Sequence, residues 1–475
     1  MKTYQDYEKF MNDEPDEKAI IEFVRSVIED YKQSDTYKTA LTAKEYDAKR
    51  NVTIHEFKKE LYTLSGDTIP DIFSADYRIE SAFFHRFTSQ QTQVLLGNGV
   101  NWNDGDAIKT ALGSDFDFVL QDIGHSALVG GVAWGFYNVD HVEAYDATQF
   151  APLKDERTSA VKAGVRFWQI DTTKPLHAMF FEMDGVTEFE WGDKGGSIYA
   201  EKRPYKVAVE STAIDGEQVV NGENYPTFPV VPLYANKYHQ SELIGIRSGI
   251  DCYDLIKSGF ANDLDEASQI YWILQNAGGM SEEDMALFMQ RLKTTHVASV
   301  DTDGATAEAH TLEVPYSARE VALDRLEKDL YKDYMAFNNE TIANGAVNIP
   351  QIKAAYELLM SKEDSWEYYV LEFVNGILEL AGILDEDPSF TRSTIANTSE
   401  TANILIAGAN YLSEDYITRK LLDLLGDGDK AEDMIEQMQA QNLTRLASGQ
   451  YPNAAQQAVG NPPTIPTGGE VNGSV

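Results

Sequence analysis

Few residues in this chain are spaced as chemistry demands. Asp301-Thr302-Asp303-Gly304 begins like a calcium loop, but the rest of the twelve-residue ligand set does not follow, so it reads as a hairpin turn. His296 and His310 would face each other across that hairpin as a two-histidine metal site, or simply as a cross-strand polar pair. His55-Glu56 has no second histidine at the spacing of a helical zinc protease motif. Gly130-Gly131 with Gly135 follows no dinucleotide spacing, and neither a phosphate-binding glycine loop ending in Gly-Lys-Ser/Thr nor a Gly-x-Ser-x-Gly nucleophile turn occurs. The expectation is no enzyme: no catalytic residue, no metal and no cofactor. One constellation remains. Arg325, Lys328 and Lys332 stand at i, i+3 and i+7 and so share a helix face. Asp324, Glu327 and Asp329 lie among them, as on an ordinary solvated face. Alternatively the face meets phosphate transiently while the neighbouring acids prevent tight binding.

The elements that must position these residues follow an unusual order. Apolar spacing predicts an amphipathic helix over Ile250–Asn276 with a stripe of Ile250, Tyr253, Ile256, Phe260, Leu264, Ala267, Tyr271 and Leu274. Asp251, Asp254, Asp263, Asp265 and Glu266 fall mostly off the stripe. A short helix opened by Ser281 and a hairpin of Val297–Val300 with Ala309–Val314 come next. A charged helix over Ser317–Phe337, an Asn/Gly loop over Asn338–Asn348 and a helix over Gln351–Leu384 complete the set. At 1.5 Å per residue the last would reach about 50 Å. Two helices that descend and return around a protruding hairpin are implied.

Before this region, Ile20, Phe23, Val24, Val27, Ile28 and Tyr31 mark one buried helical face. Residues 72–96 repeat the behaviour, and a further helix covers Asp117–Leu128. The period then changes to two. Val132–Val139, Ala163–Ile170, His177–Glu182, Thr187–Trp191 and Tyr205–Val209 read as strands of one meandering antiparallel sheet, separated by Asp-Gly and Gly-Gly turns. Helices over Ser399–Ala407, Ser413–Leu425 and Asp429–Ala447 follow the long helix, and the Pro/Gly/Asn/Gln-rich stretch from Ser448 is expected to be disordered.

Composition narrows the classes. The 475 residues carry 39 Lys+Arg against 77 Asp+Glu, a net charge of −38, the opposite of a protein that grips nucleic acid. Solubility explains this charge, as does a surface that must lie near nucleic acid without adhering. At 43% hydrophobic and 11% aromatic the chain can build real cores, and the length suggests two to four domains. Lone Cys252 rules out an internal disulfide and fits a reducing cytosol. No signal-peptide core and no membrane-spanning run are expected.

Several local patterns, in this order, resemble the portal proteins of tailed bacteriophages, of the type found in siphophages of Gram-positive hosts. They are Tyr46 ahead of Ile54; Gly130–Tyr137 with Gly164-Val165-Arg166-Phe167-Trp168; and Leu326–Tyr331, with Leu421–Met438 as weaker support. The most specific is Phe228–Lys237, followed by Ser241-Glu242-Leu243 and Ile250–Asp254. The chain departs from the family at Ala235-Asn236, often two asparagines, at Tyr46-Asp47, an aromatic pair elsewhere, and in the loop 338–348.

The resemblance implies an α+β, ring-forming portal fold. Its parts would be a wing (1–240), a stem helix (241–276), a clip (277–316), a second stem helix (317–337), a tunnel loop (338–349), a long helix (350–387), a helical crown (388–447) and a disordered tail (448–475). It implies a ring, usually of twelve copies, at one capsid vertex of the virion, synthesised in the host cytoplasm. Double-stranded DNA would pass through the channel. Terminase large subunit, a head–tail connector or adaptor, and major capsid and scaffolding proteins would be the partners, with no membrane. Channel candidates are then Arg325, Lys328, Lys332, Asn338, Asn339, Glu340, Asn344 and Asn348; clip docking candidates are Thr295, His296, Asp301, Asp303, Glu308 and His310. Two other classes compete: a different phage structural protein (connector or baseplate), and a metal-dependent enzyme with an unrecognised site. The long helix after the loop speaks against the first. The absence of clustered carboxylates at ligand spacing speaks against the second.

Overall fold

The computed structural model describes residues 1–62, 67–71, 74–103, 105–193, 195–212, 218–267, 271–275, 281, 283, 286–287, 290, 306–310, 316–338, 349–393, 398–408, 411–426 and 428–447. The chain divides into two units, Met1–Asn344 with Ala354–Thr394, and Gly345–Lys353 with Ile395–Val475.

In the first unit, helices α1 (Tyr4–Asn12), α2 (Glu17–Lys32) and α3 (Asp35–Asp47) start at side-chain caps. Thr3, Asp16 and Ser34 each accept a backbone N–H that the first turn leaves unpaired. The predicted face of α2 is buried through Phe23, Val24, Val27, Ile28 and Tyr31, while Ile20 is only partly buried. Each such side chain contributes on the order of 1.5–3 kcal/mol. These residues pack on a five-stranded meander of β6 (Phe150–Lys154), β7 (Val161–Trp168), β8 (Leu176–Glu182), β9 (Gly185–Gly192) and β10 (Gly195–Arg203).

A second sheet joins β4 (Val132–Asn138) to β5 (His141–Asp146) by a hairpin. Its third strand, β13 (Val230–Tyr234), arrives from a hundred residues downstream, pairing Val230 with Phe136 and Tyr234 with Val132. This sheet is covered by α7 (Phe116–Gly130) and by the long helix Ile349–Ala381. Trp366, Val370, Phe373, Val374 and Ile377 form that helix's buried stripe at three- and four-residue spacing. Gly135 permits the approach: a Cβ there would stand 2.5 Å from the Phe373 ring. Three sheets therefore replace the single meander that alternation predicts, because the strand at 206–212 belongs to neither of these two. β5, β6, β10 and β13 were not foreseen; neither was β12 (Gln218–Glu223), which pairs with β11 (Lys206–Thr212).

Other expectations need correction. Within 72–96 the helix, α5, begins only at Phe83 and ends at Leu96. The helix expected over Ile250–Asn276 is α8, Arg247–Ala267. Tyr271–Gln275 is a strand, β14, paired antiparallel with β15, Thr306–His310. A Tyr-Trp-Ile-Leu run suits a pleated surface as well as a helix, so periodicity alone does not decide it. The expected hairpin partner, Val297–Val300, lies outside the described residues, as does the tail from Ser448.

In the second unit, helices Thr398–Ala407, Glu414–Leu425 and Ala431–Ala447 enclose a small core that includes Ile417, Ala431 and Ile435. Ser413 caps the middle helix and Gly426, at φ 81°, ends it.

Candidate functional site

The helix pair predicted around the hairpin is present and antiparallel. Leu330 would meet a Cβ placed on Gly249 at 2.8 Å, Tyr316 packs edge-on against Phe260, and Arg319 is ion-paired with Asp263. Residues early in α8 thus lie against the end of the return helix Tyr316–Tyr334, and late against early. β14 follows α8 and β15 precedes the return helix, so the strand pair lies at one end of the helix pair.

At the other end the pair is rooted in an apolar cluster of Phe83, Phe84, Phe87, Leu243, Ile250 and Leu330. The preceding loop is held by Asn236. Its Nδ2 donates to Gln240 O (2.9 Å) and Glu242 Oε1 (2.8 Å), and its Oδ1 accepts from Tyr238 N–H (3.0 Å). The Glu242 N–H donates to Leu128 O and the Ala235 N–H to Gly131 O, seating the loop on the end of α7.

Beyond Ile250, the buried positions of α8 include polar ones. Asp254, Ser258 and Asn262 are buried at four-residue spacing, whereas Leu255 and Leu264 are exposed. Asn51 Nδ2 donates to Asp254 Oδ2 at 2.8 Å, Ser258 Oγ accepts the Ile79 N–H at 2.9 Å, and Asn262 Oδ1 accepts the Tyr77 N–H at 2.6 Å. The Tyr46 hydroxyl also reaches Asn51, Thr53 and Asp251. Burial pushes the Asp254 carboxyl up, partly opposed by the bond from Asn51. A polar helix face buried against irregular backbone satisfies the N–H groups that no strand partner takes. Apolar periodicity cannot reveal such a face; only the Asx and Ser spacing at i, i+4 and i+8 hints at it.

Both flanks of the loop 338–348 are anchored. Gln90 clamps Phe337, its Nε2 donating to Phe337 O and its Oε1 accepting the Phe337 N–H, each at 3.0 Å. The Phe337 ring stacks on Tyr356 at 3.9 Å. Fully buried Tyr334 donates to Gln91 Oε1 at 2.8 Å, and burial raises its hydroxyl well above the usual range. Lys362 of the long helix lies over the Tyr334 ring and donates to Glu242 Oε2 (2.6 Å) and Tyr334 O (3.1 Å). Burial lowers this lysine's pKa, and Glu242 opposes the shift. One cation therefore ties the segment before α8, the end of the return helix and the long helix. None of these anchors was legible from sequence, because their partners lie 19 to 247 residues apart.

Arg325, Lys328 and Lys332 share the exposed face of the return helix, away from buried Leu330 and Tyr334. Arg325 is 83% exposed and stands 3.7 Å from Asp329, an i, i+4 pair that contributes only about 0.3–0.5 kcal/mol. Asn338 directly follows the clamped Phe337; Asn339, Glu340, Asn344 and Asn348 lie outside the described residues. On β15, Glu308 pairs with Ile273 and His310 with Tyr271. Thr295, His296, Asp301 and Asp303 lie outside the described residues.

A family model described as phage portal protein, SPP1 Gp6-like, matches residues 30–444. The portal protein of Clostridium phage phiCD119 is 25% identical over 414 residues, 80% of this chain and 88% of that one. The portal protein of Bacillus phage SPP1 is 24% identical over 393 residues, 75% and 74% of the two chains. Among solved structures, a chain from the neck of a native gene transfer agent particle covers 71% of this chain and is itself covered to 89%, at a TM-score of 0.40 and 10% identity, a likeness from which nothing further follows. The family match takes in the α+β region, the antiparallel helix pair, the loop flanks and the long helix, and the chain belongs to the SPP1 Gp6-like family of phage portal proteins.

Proposed function

We propose that this portal protein assembles into a closed ring, of twelve copies, at one capsid vertex of the virion, and that duplex DNA passes along its axis during packaging and ejection. The observation that carries this reading is the antiparallel helix pair with paired strands at one end and Phe337, clamped by Gln90, at the other, in a chain that a portal family model matches over 30–444. The helix pair would be the stem, 277–316 the clip that meets the terminase and later the connector, 338–349 the tunnel loop and 388–447 the crown. The exposed face of Arg325, Lys328 and Lys332 would line the channel. Intermittent cations among acids favour sliding, since a continuous basic lining would hold the duplex through counterion release.

Negative-stain imaging of the purified chain tests the ring: closed rings with a central hole are expected, and a monomer or solid dimer refutes them. For the clip, residues 278–303 are replaced by a short Gly/Ser linker, which keeps both paired strands. Rings should still form while terminase and connector binding is lost; normal packaging by this variant overturns the clip assignment.

A further inference from the structure

We propose that Asp47, His85 and His125 form a binding site for one divalent transition-metal ion of the zinc type. Asp47 is the last residue of α3, His85 lies in the first turn of α5, and His125 lies in α7. His85 Nδ1 is 3.1 Å from Asp47 Oδ1; His125 Nε2 is 3.0 Å from the same oxygen and 3.1 Å from Oδ2. One ligand atom from each residue can be chosen so that all lie within 4.8 Å of one another. Donors bound at about 2.0–2.2 Å in a tetrahedral zinc site stand about 3.3–3.5 Å apart, so the two carboxylate–imidazole separations need little change and only the two imidazoles must close.

The donor set selects the ion. Two imidazoles and one carboxylate suit zinc and its first-row neighbours, whereas calcium and magnesium favour oxygen-only shells. The charge balance also favours a cation. Lys44, the nearest ammonium on α3, is turned away to Asp146 (2.8 Å) and Thr148 (3.2 Å). Asp47 is bonded by the two histidines and only weakly, at 3.5 Å, by Thr88. A cavity of about 90 Å³, lined by Asp47, His125, Lys44, Asp146 and Thr148 among others, opens beside the group. It leaves an approach for the ion and room for a water in the fourth position. The bound ion would clasp three helices next to the cluster that roots the helix pair, where Tyr46 and Phe84 are immediate chain neighbours of Asp47 and His85. Sequence spacing conceals the site, because its members are 38 and 40 residues apart on separate helices.

The test uses the untagged, full-length chain, stripped with chelator and titrated with zinc chloride by calorimetry and with cobalt(II) by visible absorption. One ion per chain is expected, with intense cobalt bands of a four- or five-coordinate centre and no comparable binding of magnesium. His125→Gln, His85→Gln and Asp47→Asn should each weaken zinc binding by at least about 100-fold, more than the 10–100-fold typical of losing an outer-shell partner. Unchanged affinity in a folded His125→Gln chain overturns the site. X-ray absorption of the native zinc complex needs no variant: two imidazoles with oxygen donors support the site, and any other shell, or no stoichiometric binding, refutes it.

Discussion

Replacing Glu363 by glutamine should stabilise this protein at alkaline pH. Glu363 is fully buried in the long helix, and neither carboxyl oxygen has a hydrogen-bond partner among the described residues. Burial pushes its carboxyl up from 4.5 to about 9, against the attraction of Lys362 and Arg392. Between these values the folded chain keeps a proton that the unfolded chain releases, so stability falls as pH rises. The contribution is fully present below 4.5 and lost by about 9; at 1.36 kcal/mol per pH unit the whole window amounts to about 6 kcal/mol, and about 4 kcal/mol is gone by pH 7.5. A neutral carboxamide of nearly equal shape has no such dependence, although leaving it without partners costs about 1–3 kcal/mol. The expected result is a variant about equal to or weaker than the native chain at pH 5, and about 2–4 kcal/mol more stable at pH 8. Urea unfolding followed by tryptophan fluorescence, at one fixed chain concentration because oligomers gain stability by mass action, measures this. Trp366, one turn from Glu363 and buried, reports the region directly. Parallel pH–stability curves for the two chains, or a variant weaker at pH 8, would refute a protonated Glu363.

Gly131 ends α7 at φ 89°, and a Cβ there would stand 2.7 Å from the backbone at Gln240 and Ser241. Gly131→Ala should therefore cost at least about 2 kcal/mol in denaturant unfolding, and a loss under 0.5 kcal/mol contradicts the packing. Tyr46→Phe removes the hydroxyl shared by Asn51, Thr53 and Asp251. A loss of about 1–2 kcal/mol is expected, with the first hydrogen exchange around Asn51 and the start of α8; unchanged exchange there argues against the anchor. The triple change of Arg325, Lys328 and Lys332 to Gln should leave stability within about 0.5 kcal/mol and rings intact, since the face is exposed. DNA translocation or retention in a packaging assay should change; if stability alone moves, the face is merely solvated.

Local signals carried much of the architecture. The α2 stripe, the Ser413 cap, the alternation of β4 and β7 and the order of helix, strand and helix from 247 to 381 are written in neighbouring residues, because propensity, capping and amphipathic period act over a few positions. That order, with the Phe228–Asp254 pattern, was sufficient for the family. What local signals could not settle is partnership. Tyr271–Gln275 became a strand only by finding 306–310, and β13 only by finding β4. Ser258 and Asn262 joined a buried face because the chain at 77–79 needed acceptors, and Asp47, His85 and His125 met because three helices pack together. Residue types and periods set which elements form. Which unpaired backbone groups and side chains meet depends on contacts between residues far apart in the chain, and those exist only once the elements pack.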